Sequence, residues 1–182
     1  APAPMARIRT ELELFPKHIS ALEAQTADTL VGGDSPRVGV SHFLRIAALY
    51  FCAKNPGTRA LLVAPDDGRL RRDQLEGSTG LLAMLYQSQR DGACEVTPTE
   101  IRWVNGSSIR WAGLNREARA GAALRERFDL LLADDAHAIP EELFARLAET
   151  ALTSTGPTRR VLAGSTKIRT SAWLLRRYVQ EP

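Results

Sequence analysis

At 182 residues, 44% of them hydrophobic, the chain has enough apolar material for one core and the composition of a folded protein, which excludes intrinsic disorder. Cys52 and Cys94 lack CxxC spacing, and no apolar run approaches the roughly 18 to 20 residues that span a bilayer, which excludes a disulfide framework and a transmembrane protein. A reducing intracellular setting with no membrane partner is the expectation. The net charge of +3 hides an uneven distribution. Residues 150–180 carry six cations (Arg159, Arg160, Lys167, Arg169, Arg176, Arg177) and no acid, which reads either as a phosphate-facing surface or as arginines that pair with acids elsewhere.

In chain order, residues 1–10 read as a flexible N-terminal arm and 11–182 as one domain. Residues 11–27 place Leu14, Ile19 and Leu22 at helical spacing. Thr29-Leu30-Val31, stopped by Gly32-Gly33, predicts a short strand. A glycine-containing loop follows, and then a helix on Phe43, Leu44, Ala47, Tyr50 and Phe51. Residues 59–65 (RALLVAP) form the near-continuous apolar run of a strand buried on both faces. Residues 81–89 suit a helix. Residues 100–104 and 108–112 flank Asn105-Gly106, a pair suited to a hairpin turn, with Trp103 and Trp111 on its strands. Residues 128–133 (FDLLLA) predict another buried strand ending in Asp134-Asp135. Pro140 then opens a helix, and residues 160–163 (RVLA) run into Gly164-Ser165-Thr166. Strands alternating with helices predict an α/β fold, a mainly parallel sheet sandwiched by helices.

Two segments carry chemistry. A phosphate loop converges backbone N–H groups of a helix N-terminus on anionic oxygens, adds a lysine charge, and uses a Ser or Thr hydroxyl for Mg²⁺. Residues 34–41 (Asp34, Ser35, Pro36, Arg37, Val38, Gly39, Val40, Ser41) have the shape, but Val40 stands where that pattern puts lysine. Paired acids at a strand end, Asp134 and Asp135, suit a Walker B role, the first holding Mg²⁺ and the second polarising the attacking water. Ala136-His137-Ala138-Ile139-Pro140 continues that segment, and His137 has no second His or Cys nearby to complete a metal site.

Ser35-Pro36-Arg37-Val38-Gly39-Val40-Ser41-His42-Phe43-Leu44 resembles the deviant Walker A of lambda-type phage terminase large subunits, S-A-R-V-G-Y-S/T-K-M-L. Gly164-Ser165-Thr166-Lys167-Ile168-Arg169 is similar to the G-S-T-P-K-V-R of that family. Asn105-Gly106-Ser107-Ser108-Ile109-Arg110 resembles the N-G-S-x-I-x hairpin of terminases broadly. The collinear likeness covers residues 12–178. It implies a RecA-like P-loop ATPase fold with a β-hairpin insertion, ATP and Mg²⁺ as cofactors, and translocation of double-stranded DNA into a capsid. The implied partners are a portal protein, a small terminase subunit and further copies in a homo-oligomeric ring, in the host cytoplasm.

Carried onto this sequence, the resemblance implies that residues 34–41 bind nucleotide, with Arg37 and Asp135 catalytic and Ser41 and Asp134 holding the metal. It gives Ser165 and Thr166 a coupling role, and Lys167, Arg169, Arg176 and Arg177 contacts to DNA or a neighbouring subunit.

Three departures bear on activity. The displaced family lysine falls at Asp34, whose carboxylate about 4 Å from a phosphate costs roughly 4 kcal/mol per unit charge, which Arg37 would have to offset. Asp135 is one methylene shorter than the usual glutamate, which withdraws the base by about 1 Å and costs on the order of 10²-fold in rate. Phe15-Pro16-Lys17-His18 offers Lys and His where an adenine-contacting glutamine is usual. These departures keep a second reading open, a pseudo-ATPase serving as a structural or assembly module. A two-metal nuclease cluster is not found before Pro182, so DNA cleavage is not expected of this chain.

Overall fold

The computed structural model describes residues 20, 22–23, 26–33 and 39–179. The N-terminal arm at 1–10, most of the helix expected at 11–27, and loop residues Asp34, Ser35, Pro36, Arg37 and Val38 lie outside the described residues. Of that first helix, Ser20, Leu22 and Glu23 are helical and Leu22 is buried.

The described strands are β1 (Asp28–Gly32), β2 (Arg59–Ala64), β3 (Cys94–Val96), β4 (Glu100–Trp103), β5 (Ser108–Gly113), β6 (Leu130–Ala133) and β7 (Arg160–Ser165). They form one seven-stranded sheet in the order β1-β7-β6-β2-β5-β4-β3. The first five in that order are mutually parallel, and β4 runs antiparallel to both of its neighbours, β5 and β3. The hairpin read at Asn105-Gly106 is built into this sheet. Its second strand, β5, pairs with β2 in parallel, and Gly106 takes φ 86° in the turn. The Asn105 side chain donates to the Cys52 carbonyl at 2.9 Å, which ties the hairpin tip to a helix packed on the sheet.

That helix, α1 (Val40–Lys54), shares one face of the sheet with α3 (Leu81–Met84) and α4 (Tyr86–Arg90). The single helix expected at 81–89 is thus two short ones that meet at Leu85, which is fully buried. Residues 65–75, unassigned from sequence, form α2 (Asp67–Leu70), which leads into a π-helical turn (Arg71–Leu75). The opposite face is covered by α5 (Glu117–Arg125), α6 (Glu141–Leu152) and α7 (Ala172–Tyr178).

The strand period of two explains how apolar runs serve both layers. In β6, Leu130 and Leu132 pack under α1, while Leu131 and Ala133 pack toward α6. In β2, Ala60, Leu62 and Ala64 face the α1 layer, and Leu61 and Val63 the other. Among the described residues, no helix is long and apolar enough to cross a membrane.

Parallel pairing puts the carboxyl ends of β1, β7, β6, β2 and β5 on one rim, the edge of an open α/β sheet where ligands bind. At that rim Gly32 adopts φ 141°, and a Cβ there would lie 1.8 Å from the Ser165 carbonyl oxygen, which itself accepts the Gly33 N–H at 3.1 Å. Only glycine lets the chain leave β1 this close to β7. Replacing Gly32 with Ala is therefore expected to lower unfolding free energy by about 2 kcal/mol or more in urea titrations. An unchanged midpoint would contradict this close approach.

Candidate functional site

The rim site is built where α1 begins. Gly39 precedes the helix with φ 70°, a left-handed conformation that glycine adopts without strain, and its carbonyl accepts the Phe43 N–H at 2.9 Å. The first turn of such a helix presents N–H groups without intrahelical partners, and its dipole favours negative charge. Val40 is 4% exposed, and a Cβ at Gly164 of β7 would come within 2.6 Å of its Cγ1. The side chain at the usual lysine position is thus a core anchor, and a missing side chain at Gly164 makes room for it. Val40 offers a phosphate its backbone and no charge.

Ser41 points the other way. Its hydroxyl donates to Asp134 Oδ2 at 2.8 Å, joining the first turn of α1 to the carboxyl end of β6. Between β1 and β6 lies β7, so α1, which follows β1 in the chain, reaches the acid across one intervening strand. The two segments singled out from sequence meet at one place.

Asp134 is 3% exposed and carries two further hydrogen bonds. Gln74 Nε2 donates to Oδ2 at 2.6 Å, and the Asp135 backbone N–H donates to Oδ1 at 3.0 Å. Burial pushes its carboxyl above the ordinary aspartate range and the neighbouring Asp135 adds to that, while the hydrogen bonds from Ser41 and Gln74 oppose it. Gln74, fully buried in the π-helical turn, also donates to the Ser41 carbonyl at 3.3 Å. One amide therefore fastens the start of α1 and the tip of β6 together. Arg45, 6% exposed, donates to Gln74 Oε1 at 3.5 Å and to the Asp73 carbonyl. Its burial lowers its pKa, opposed by attraction to Asp134 and Asp73. Neither Gln74 nor Arg45 belongs to a motif, and no sequence signal marks them.

Asp135 turns into the left-handed region, φ 49° and ψ 43°, which aspartate tolerates better than most residues. Its Oδ2 lies 3.6 Å from Arg69 Nη1, and Arg69 Nε is 3.3 Å from Asp66. Beyond it, Asp67 pairs with Arg116 at 3.2 Å and Arg119 at 2.8 Å. The rim next to the second acid thus carries arginines on the helical segments that follow β2 and β5. Ser165, at the end of β7, is buried. Its hydroxyl oxygen lies 2.8 Å from His137 Nδ1 and accepts the Lys167 N–H at 3.0 Å. Burial lowers the His137 pKa, with Lys167 and Arg69 adding and Asp135 opposing, so the imidazole is neutral near pH 7. His137 links the loop after β6 to Ser165 at the end of β7.

Arg176 and Arg177 pair elsewhere. Arg176 pairs with Glu141 at 2.8 Å, and Arg177 pairs with Asp28 at 2.7 Å while stacking over the Phe144 ring. The exposed Arg176 pair contributes little, but it shows that the acid-free tract finds acids in space. Lys167 and Arg169 lie at the turn that follows β7.

An oxygen pair of one hydroxyl and one carboxylate at a helix N-terminus fits a hard divalent cation that takes its remaining ligands from phosphate and water. Among the described residues no group of three His, Cys, Asp or Glu side chains forms a metal site without such a ligand.

A mainly parallel sheet between helix layers, with one helix start hydrogen-bonded to a buried acid at a strand end, has the fold of phage large-terminase ATPase domains. No family model and no curated relative matches the chain. Among solved structures it is similar to the Thermus phage P74-26 large terminase ATPase domain, with TM-score 0.64 at 16% identity, covering 85% of this chain and 65% of that one. It is also similar to the large terminase of a thermophilic bacteriophage, with TM-score 0.62 at 11% identity, covering 82% of this chain and 38% of that one. The same thermophilic-phage terminase in complex with ATP-gamma-S gives TM-score 0.57 at 10% identity, covering 82% of this chain and 37% of that one. The chain therefore spans less than two thirds of each, and what it shares with them is the fold.

Because folding raises the pKa of Asp134, the native state holds its proton more tightly than the unfolded chain does. That contribution to stability is complete below the unfolded value and is lost as pH rises through the folded one. Asp134→Asn is expected to flatten the fall in stability as pH rises above the ordinary aspartate range, from about pH 4 upward, and to be no less stable than wild type at about pH 7. Urea unfolding at both pH values checks this, and an unchanged slope would show that the carboxyl does not titrate in this way.

Proposed function

We propose that this chain is an ATP-binding and ATP-hydrolysing module of a phage-type DNA-packaging motor, coupling nucleotide turnover to movement of double-stranded DNA into a capsid. Ring assembly with further copies, and work alongside a portal protein and a small terminase subunit, belong to the same proposal. The observation that carries it is the 2.8 Å hydrogen bond from Ser41 to Asp134, which brings the phosphate-loop helix and the acidic strand end to one point. Similar folds described in complex with ATP-gamma-S and with ADP support a nucleotide as the ligand.

In this reading, backbone N–H groups at Gly39, Val40 and Ser41 receive the phosphates, and Arg37 supplies the cation that Val40 does not. Ser41 Oγ and Asp134 are the residues that would hold Mg²⁺. When bound, the ion neutralises charge developing on the phosphates. Asp135 orients and polarises the attacking water. Arg69 fixes that carboxylate, and His137 and Ser165 transmit its state to β7.

The pseudo-ATPase reading is favoured by a specific observation as well: Val40 is buried in the core, so the consensus position carries no cation toward the phosphates. The two readings separate in one set of experiments. Arg37→Ala and Asp134→Ala are each expected to cut Mg²⁺-dependent phosphate release by on the order of 10²-fold while far-UV circular dichroism is unchanged. Asp34→Lys is expected to tighten ATP binding by about tenfold or more in calorimetry, because it replaces a repulsion of roughly 4 kcal/mol with an attraction. Turnover that survives both alanine changes removes the active-site assignment, and a wild-type chain that binds no ATP leaves the structural module.

A further inference from the structure

The rim opposite the nucleotide site, at the amino ends of the parallel strands, carries cations that nothing above employs. Arg59 at the start of β2 and Arg127 before β6 are both exposed, and no acid among the described residues pairs with either guanidinium. Both line a cavity of about 510 Å³ whose far wall is the hydroxyl-rich turn Thr153, Ser154 and Thr155. Both also line a second cavity of about 250 Å³, so the two hollows adjoin as a trough in two parts, with Arg59, Arg127 and Phe128 shared between them.

The two ends of the trough differ electrostatically. Toward β4 and β5 the cations are already engaged, Arg110 with Glu126 and Glu100, and Arg102 with Glu100. Toward the 153–156 turn the lining acid is Asp129. It is 2% exposed, and its two oxygens accept the Arg59 N–H at 2.6 Å and the Thr158 N–H at 3.1 Å. A Cβ at Gly156 would lie 2.6 Å from Asp129 Oδ2, so the hydroxyl-bearing turn closes over this carboxylate only because residue 156 is glycine. The buried acid organises the turn through backbone donors, leaving the outer guanidinium groups free.

Unpaired arginines beside hydroxyl donors fit phosphate oxygens, because the planar guanidinium donates in pairs and a hydroxyl adds a neutral donor. The one aromatic ring on the trough, Phe128, is 4% exposed and offers no surface for stacking on bases. That combination contacts a backbone without reading sequence.

We propose that the trough centred on Arg59 and Arg127 binds the phosphodiester backbone of duplex DNA, without sequence preference, on the rim of the sheet away from the nucleotide. The inference rests on the motor reading and adds to it a surface other than the C-terminal cations.

The test is fluorescence anisotropy of the 182-residue chain with a labelled duplex of random sequence at several salt concentrations, with ATP binding measured by calorimetry on the same proteins. The Arg59→Gln/Arg127→Gln double variant is expected to lose duplex affinity on the order of tenfold at low salt. The slope of log K against log salt should shrink by about 2, roughly 0.9 per phosphate contact removed. ATP affinity should stay at the wild-type value, which separates this outcome from any failure of the nucleotide site. Wild-type duplex affinity and slope in the double variant would overturn the inference while leaving the ATPase reading intact. So would a loss seen only in Arg176→Gln/Arg177→Gln. Binding of poly-L-glutamate without binding of duplex would overturn it in favour of an acidic protein partner.

Discussion

The contact between Ser41 and Asp134 is the constraint on which the rest of the site depends. It joins a helix start to a strand end that are distant in sequence, and it does so with a carboxylate withdrawn almost wholly from water. A buried carboxylate without partners costs several kcal/mol. Three donors meet that cost here, from Ser41, Gln74 and the Asp135 backbone. Even so, burial leaves the acid harder to ionise than one in water. Residues that work against stability at one spot are what a binding site for a cation and a polyphosphate demands.

The supports of this contact come from different parts of the chain. Gly39 turns the backbone into α1, Val40 anchors the first turn into the space left at Gly164, and Gln74 bolts helix to strand from a π-helical turn. Such single turns of π-helix mark functional sites in many proteins. Here the turn buries a glutamine whose neighbours, Arg72 and Asp73, are paired with each other. Just before that turn, Asp66 and Arg69 of the α2 segment join Asp135 after β6 in a chain of charges that holds the second acid.

The long apolar strands are legible because both faces of β2 and β6 are buried, so runs such as LLVA and LLLA have no polar alternation to confuse them. The hairpin is legible from Asn105-Gly106, whose backbone tolerance suits the turn. The pairing of Ser41 with Asp134 comes from motif likeness, since neither residue type is distinctive by itself. What stays hidden in the sequence depends on distant partners. Val40 reads as part of a phosphate cradle because nothing local says that Gly164 will receive it. Gln74 sits in a polar stretch, RRDQLEG, that reads as surface, and only the tertiary fold turns it inward. In the arginine-rich tract near the C-terminus no residue signals a partner, yet Arg177 reaches Asp28 on β1 at the other end of the chain.

The central claim is that a nucleotide and its metal occupy the junction of the loop at 34–41 with Asp134 and Asp135. A crystal structure of the chain with Mg²⁺ and a non-hydrolysable ATP analogue tests it most directly. The account predicts terminal phosphates against the amides of Gly39 to Ser41, the ion between Ser41 Oγ and Asp134, and Arg37 on a phosphate oxygen. An analogue bound elsewhere, with the Ser41–Asp134 hydrogen bond undisturbed, would contradict it.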